Sequence, residues 1–232
     1  MKITWLGHSA FRVEIGESVL LFDPFLTRNP HAPAHFRAST RDATHILVTH
    51  GHDDHIGDTL QIAQETGAQI VANYEIGAWL EGQGAKNINP GNTGGRIPCG
   101  EFSVSLTDAR HSASTTINGA PIYLGPANGL IVESAHAPTL YHMGDTAIFG
   151  DMALIAELYA PKIGLVPVGG RFTMDGAQAA LAVKRYFDFD TVIPCHYGTF
   201  DEIAPDASEF IAAMQGAKTR VWSGDIGESF EV

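Results

Sequence analysis

Thr49-His50-Gly51-His52-Asp53-Asp54-His55-Ile56-Gly57 follows a short apolar run, Ile46-Leu47-Val48, and precedes a segment over about 58–66 that ends at Gly67. The run reads as a buried strand and the later segment as a helix. The side chains between them therefore project from a loop at a strand's end, where α/β sheets commonly carry their sites. A divalent ion such as zinc takes nitrogen and oxygen ligands at about 2.0–2.2 Å. Two histidines one residue apart can chelate one ion from a bent loop, and Gly51 allows the bend. Asp54 and His55 lie just beyond and can face a second ion. A lone histidine is most often a satisfied core or surface residue. Three histidines and two aspartates within six residues, directly after an apolar strand, need another explanation.

Further ligands stand at comparable positions. His111 follows a strand read at Glu101–Thr107, and Asp145 follows Thr139–Met143 in Gly144-Asp145-Thr146. His196 follows Thr191–Cys195. Taken singly each is weak, because an aspartate before a helix is usually a cap. Together they repeat one topological position. For His8, in Gly7-His8-Ser9, a pocket-facing donor and a buried structural histidine are both open readings. His142 reads as a packed strand residue or as support for Asp145. His31 and His35, in the 26–42 loop, read as solvated loop residues first and as pocket-rim residues second. Thr173 reads as a helix cap. Cys195 is expected in the core, since neighbours on an extended segment point oppositely.

Around these loops the pattern is mixed. Residues 1–5, 11–15 and 19–23 read as strands, with Phe11, Val13 and Ile15 alternating with Arg12 and Glu14. Residues 26–42 lack periodicity and read as a surface loop. Further strands are expected at 69–72, 121–124, 129–133, 163–168, 220–222 and 228–232. Helices are expected near 75–82, 150–159, 175–187 and 205–215. Strands interleaved with helices in both halves predict two sheets packed face to face with helices outside, an αββα sandwich of α/β (α+β) class. No Pro/Ser linker divides the chain, so 1–232 is expected to be a single domain.

Composition narrows the function. The 232 residues are 44% hydrophobic and 17% charged, enough for a sizeable core. Fourteen Lys and Arg against 26 Asp and Glu give 14 − 26 = −12, and the basic residues form no track. Nucleic acid is therefore not an expected partner. No apolar run approaches the roughly 20 residues that cross a bilayer. Cys99 and Cys195 form no motif, and both are expected to be reduced in the cytoplasm. A small-molecule substrate is the expected partner, and a homo-oligomer is compatible with the sequence.

The pattern His50, His52, Asp54, His55, then His111, Asp145 and His196, resembles the His-X-His-X-Asp-His signature of the metallo-β-lactamase superfamily with its distant His, Asp and His. More narrowly the chain resembles small bacterial and archaeal metal-dependent hydrolases of the UPF0173 type. That likeness is carried by Trp5-Leu6-Gly7-His8-Ser9, Phe22-Asp23-Pro24, Tyr141–Thr146, Gly170–Met174 and Pro194–Tyr197. Ascorbate-phosphate lactonases and N-acyl-phosphatidylethanolamine phospholipases look like more distant relatives. The resemblance implies the αββα fold of that superfamily and places Thr173 and Met174 at the pocket edge. It implies one metal on His50, His52 and His111, and another on Asp54, His55 and His196, with Asp145 bridging. Oxygen-reducing diiron members carry Glu at the position of His52, so the residues here favour hydrolysis.

The expected activity is a metal-dependent hydrolase that uses a binuclear metal-activated hydroxide on a small ester, lactone or phosphodiester. Asp54 is the expected catalytic residue, orienting the attacking water or passing a proton to the leaving group. Two divalent ions are expected, zinc by default, with manganese or iron also suited to imidazole and carboxylate. The alternative is a regulatory or scaffold protein that binds metal without turnover. A purely structural zinc site closes with four ligands, and the longer set here favours catalysis.

Overall fold

The computed structural model describes residues 1–232. In chain order the first half contains β1 (Lys2–Gly7), β2 (Ala10–Ile15), β3 (Ser18–Phe22), β4 (His45–Leu47), α1 (Asp53–Ile56), α2 (Thr59–Thr66), β5 (Gln69–Asn73), α3 (Tyr74–Gly82), β6 (Ile88–Gly91), β7 (Arg96–Cys99) and β8 (Phe102–Asp108). There follow β9 (Ser114–Ile117), β10 (Ala120–Tyr123), β11 (Asn128–Ser134), β12 (Ala137–His142), α4 (Met152–Tyr159), β13 (Ile163–Pro167), α5 (Gly176–Tyr186), β14 (Thr191–Cys195), α6 (Ser208–Ala213), β15 (Arg220–Val221) and β16 (Ser229–Glu231).

These strands form two seven-stranded sheets, ordered β16-β1-β2-β3-β4-β5-β6 and β15-β14-β13-β12-β11-β8-β7. Their facing sides share one apolar core. Ile3, Phe11, Val13, Leu20 and Phe22 of the first sheet belong to it, as do Val104, Leu106, Leu130, Leu140 and Leu165 of the second. The alternation of β2 places Phe11, Val13 and Ile15 inward while Arg12 and Glu14 stay half-buried. A second apolar cluster, with Ile62, Ile70, Ile76 and Leu80, lies under α2 and α3. A third, with Val166, Ala179, Val183 and Phe210, lies under α4, α5 and α6. Each sheet thus buries both faces, and the layers run αββα, the metallo-β-lactamase fold. No helix is long and apolar enough to cross a membrane.

Strand direction explains where a site can form. β3, β4, β5 and β6 are mutually parallel, and so are β12, β13, β14 and β15. β1 pairs antiparallel with β2, and β2 with β3, so β1 runs with β3. β8 pairs antiparallel with β11, and β11 with β12, so β8 runs with β12. The loops after β1, β3, β4, β8, β12 and β14 carry His8, Asp23, His50 with His52, His111, Asp145 and His196, and α1, directly after the β4 loop, carries Asp54 and His55. All of them meet at one edge of the sandwich.

Several elements differ from those expected. β6 and β7 contain Pro90, Gly91 and Pro98, which argue against strands in the sequence. Both are edge strands, where a missing donor leaves no ladder bond broken. The strand expected at 121–124 is present as β10, but it joins neither large sheet: β9 and β10 form a separate two-stranded sheet, with all of β10 exposed. The helix expected at 205–215 shortens to α6.

Candidate metal centre

His50, His52 and His111 turn their rings toward a common point. His50 Nε2 lies 3.0 Å from His52 Nδ1, and His111 Nε2 lies 3.2 Å from that same nitrogen. Tetrahedral ligands at 2.0–2.1 Å from a zinc ion stand about 3.3 Å apart, so the spacing suits one small cation. Ser112 Oγ, 3.1 Å from His52 Nε2, can accept its proton and leave Nδ1 free to ligate. A Cβ on Gly51 would meet Leu124 Cβ at 2.8 Å and the Ala113 carbonyl at 3.0 Å, so the turn between the two histidines passes too close to this loop for a side chain.

Asp145 lies between this group and the next. Its Oδ2 is 2.9 Å from His196 Nε2, 3.3 Å from His55 Nε2, 3.6 Å from His111 Nε2 and 3.9 Å from His50 Nε2. One carboxylate oxygen therefore faces four imidazoles. His55 and His196 also group with Asp54 and His8, their ligand atoms lying within 4.8 Å of one another. The interior lacks the partners such groups need: His55 Nε2, Asp145 Oδ1 and His196 Nδ1 are buried with no hydrogen bond. Buried polar atoms without partners are costly, and a bound cation is the natural complement of this donor set. All seven expected ligands thus lie together.

Asp23, legible in the sequence only as a strand end, organises the donors from behind. Its Oδ2 accepts from His55 Nδ1 at 2.7 Å and from the Thr49 hydroxyl at 2.6 Å, and its Oδ1 accepts from the Thr49 amide at 2.8 Å. Because Thr49 spends its proton on Asp23, it must accept at 2.9 Å from His50 Nδ1. One carboxylate therefore fixes both rings so that their Nε2 atoms face the centre. The available signal was an aspartate closing an apolar strand before Pro24.

His8 is buried and does not line the pocket, but it supports Asp54, which does. Its Nε2 lies 3.1 Å from Asp54 Oδ2 and its Nδ1 3.0 Å from Thr199 Oγ1. His142 is a packed strand residue that also supports the site. It stacks on Phe22 at 5.5 Å, donates from Nε2 to Ser9 O, and accepts from the Gly144 amide, fixing the turn into Asp145. Met174 is buried and Thr173 half-buried in a turn whose Met174 amide donates to Thr146 O. Cys195 is buried in the core between the sheets. Of the six non-glycine residues with positive φ, His8 (52°), Asp23 (39°), Arg171 (42°) and His196 (59°) border this site. Such backbone strain costs about 1–3 kcal/mol each and concentrates where function needs it.

A family model described as a beta-lactamase superfamily domain matches residues 19–197. The chain belongs to the metallo-β-lactamase superfamily. It is 59% identical over 227 residues to a UPF0173 metal-dependent hydrolase of Methylocella silvestris, covering 98% of both chains. It is 52% identical over 234 residues to another from Chelativorans sp., covering all of both. A novel metallo hydrolase of the archaeon Ignicoccus hospitalis superposes with TM-score 0.87 at 34% identity, covering 100% of this chain and 98% of that one. The chain is a metal-dependent hydrolase of this superfamily.

The charges of this hydrolase's centre follow from burial and proximity. Burial holds His50 well below the usual histidine range, with His55 adding to the effect. Burial, then His196, pushes His8 down to about 4. For His55 burial works the same way but is outweighed by Asp145, Asp23 and Asp54, which hold it well above that range. Burial would raise Asp145, yet His196 and His55 keep it ionised. Burial would also raise Asp54, but His55 and the His8 contact hold it far below the usual carboxylate range.

Proposed function

We propose that the centre holds two divalent cations and hydrolyses a small ester, lactone or phosphodiester. The observation that carries this reading is Asp145 Oδ2, which lies within 3.9 Å of four Nε2 atoms drawn from both donor groups. His50, His52 and His111 would hold one ion and Asp54, His55 and His196 the other, with Asp145 shared. Such ions, when bound, lower the pKa of water toward neutrality and offset charge that develops on a reacting carbonyl or phosphoryl oxygen. Zinc suits these ligands first, and manganese or iron after it.

The chain's own groups account for the remaining tasks. Asp54 lines the open pocket and stays ionised, so its carboxylate can accept a hydrogen bond from the attacking water and orient it. His8, on Asp54 Oδ2, fixes that carboxylate. Asp23 and Thr49 keep the protons of the His55 and His50 rings on their outer nitrogens. The pocket over the centre, about 360 Å³, is at the small end for ligand sites and suits a small substrate. Its opening toward solvent also distinguishes it from a closed structural site.

Elemental mass spectrometry on protein purified without chelators tests the proposal. Two ions per chain, falling to one in His52→Ala, is the expected result, together with turnover of p-nitrophenyl esters, lactones or bis-p-nitrophenyl phosphate by the loaded protein. A protein that still binds no metal after reconstitution would overturn it.

A further inference from the structure

Apart from the proposed ligands, the wall of the pocket is made by Ser112 and Phe172 alone. Phe172 has 51% of its surface exposed. Its exposure is not that of a loose loop. The turn that carries it is closed by Thr173 N to Gly170 O and Gly170 N to Met174 O, both 3.0 Å, and tied to Thr146 by Met174 N at 3.1 Å. Thr146 is the neighbour of Asp145. On the other side, a Cβ on Gly169 would collide with the His196 carbonyl oxygen, so the turn rests directly on that strand end. The backbone that carries a large apolar ring is thus braced between two of the proposed ligands.

Charge around the opening points the same way. No lysine or arginine lines the pocket. Arg28 and Arg110, from neighbouring loops, face Asp53 at 3.8 Å and Asp108 at 3.2 Å. Arg171, next to Phe172 in the chain, lies with its Cζ 5.5 Å from the centroid of the Phe172 ring. A phosphodiester would find no side-chain cation in the wall, whereas an alkyl or aryl group would find a ring to cover.

We infer that Phe172 is the specificity-determining residue of the pocket, seating the apolar acyl or alkyl group of a neutral carboxylic ester or lactone. This rests on the hydrolase reading above and narrows its substrate. The burial gained on the ring grows with chain length, so preference for longer acyl groups is the signature.

The test uses acetohydroxamate and hexanohydroxamate as probes of the metal-loaded protein by calorimetry, alongside hydrolysis of p-nitrophenyl acetate and hexanoate. Wild type is expected to bind the hexanoyl probe at least tenfold more tightly than the acetyl one. Phe172→Ala should shrink that ratio to within twofold, and Phe172→Leu should restore most of it, with metal content and melting temperature confirming folded, loaded protein. An unchanged ratio in Phe172→Ala overturns the inference, as does a wild type that gains nothing from the longer chain. Tighter binding of succinate monohydroxamate than of hexanohydroxamate, lost in Arg171→Met, also overturns it in favour of an anionic substrate. If the binding ratio behaves as expected while no ester is hydrolysed, the hydrolytic reading fails and the apolar subsite stands. Esters hydrolysed with no Phe172-dependent preference overturn the subsite and leave the hydrolytic reading standing.

Discussion

His55 Nδ1 donates to Asp23 Oδ2 at 2.7 Å, with both side chains fully buried. The same carboxylate takes the Thr49 hydroxyl, and through it orders His50. Asp23 therefore acts on rings assigned to both ions without touching either. Replacing the partner behind a ligating histidine typically lowers metal affinity about 10–100-fold. Asp23→Asn should show that loss in a chelator competition. In the metal-free protein it should also cost about 3 kcal/mol of stability, because the His55 charge loses a buried partner. Wild-type metal affinity in the variant would contradict the assignment.

Asp145 makes a sharper prediction about number. Its Oδ2 lies closest to His196 and His55, yet it also faces His111 and His50. His52→Ala should remove one ion of two and His196→Ala the other. Asp145→Ala should lower occupancy at both, toward zero in the presence of a mild chelator. Metal counts per chain for the three variants check this. A clean drop of one ion in Asp145→Ala would mean that the carboxylate serves a single ion.

The donor loops were readable in the sequence because each one follows an apolar strand, and a histidine there has little else to do. The order of the sheets was not. Whether His8 shares an edge with His196 depends on β1 running with β3, a matter of pairing that local pattern does not encode. The function of Asp23 was hidden for a related reason. An aspartate ahead of a proline is an ordinary way to stop a strand, and its partners, Thr49 and His55, lie 26 and 32 residues away. β6 and β7 are not legible in the sequence because their prolines argue against a strand anywhere but at an edge. Phe172 belongs to a stretch that carries the family likeness, but only its exposure beside Asp145 and His196 gives it a task.

Gly169 separates packing from chemistry. It touches no proposed ion, but a side chain there would overlap the carbonyl oxygen of His196 and approach its Nδ1 at 3.1 Å. His196 already sits at φ 59°, so the backbone has little room to yield. Gly169→Ala should destabilise the fold by about 1–3 kcal/mol, as overpacking does. It should also weaken the ion assigned to His196 more than the one assigned to His52. Thermal melts with and without metal, together with metal counts, read both effects. Full occupancy at an unchanged melting temperature would mean that the turn carrying Phe172 is not braced as described.

Acid should weaken the metal-free protein before its carboxylates titrate. His8, held at about 4, and the buried His50 and His142 all take up protons less readily folded than at the ordinary 6.5. For a lowered histidine the unfolded chain binds the proton first. Its contribution is thus complete above about pH 6.5 and is lost as pH falls toward the folded value. For His8 alone that window spans about 2.5 pH units, on the order of 3 kcal/mol. His55 has the opposite sign, since its raised value contributes stability below pH 6.5 that is lost on going alkaline. It therefore offsets part of the fall between pH 7 and about 6, and nothing below that, where it is protonated in both states. Urea melts of the metal-free protein at pH 7, 6, 5 and 4.5 should therefore show falling stability across the whole series. His8→Gln, which cannot titrate, should flatten part of that slope. A flat profile down to pH 4.5 would mean that these rings are hydrated and not buried.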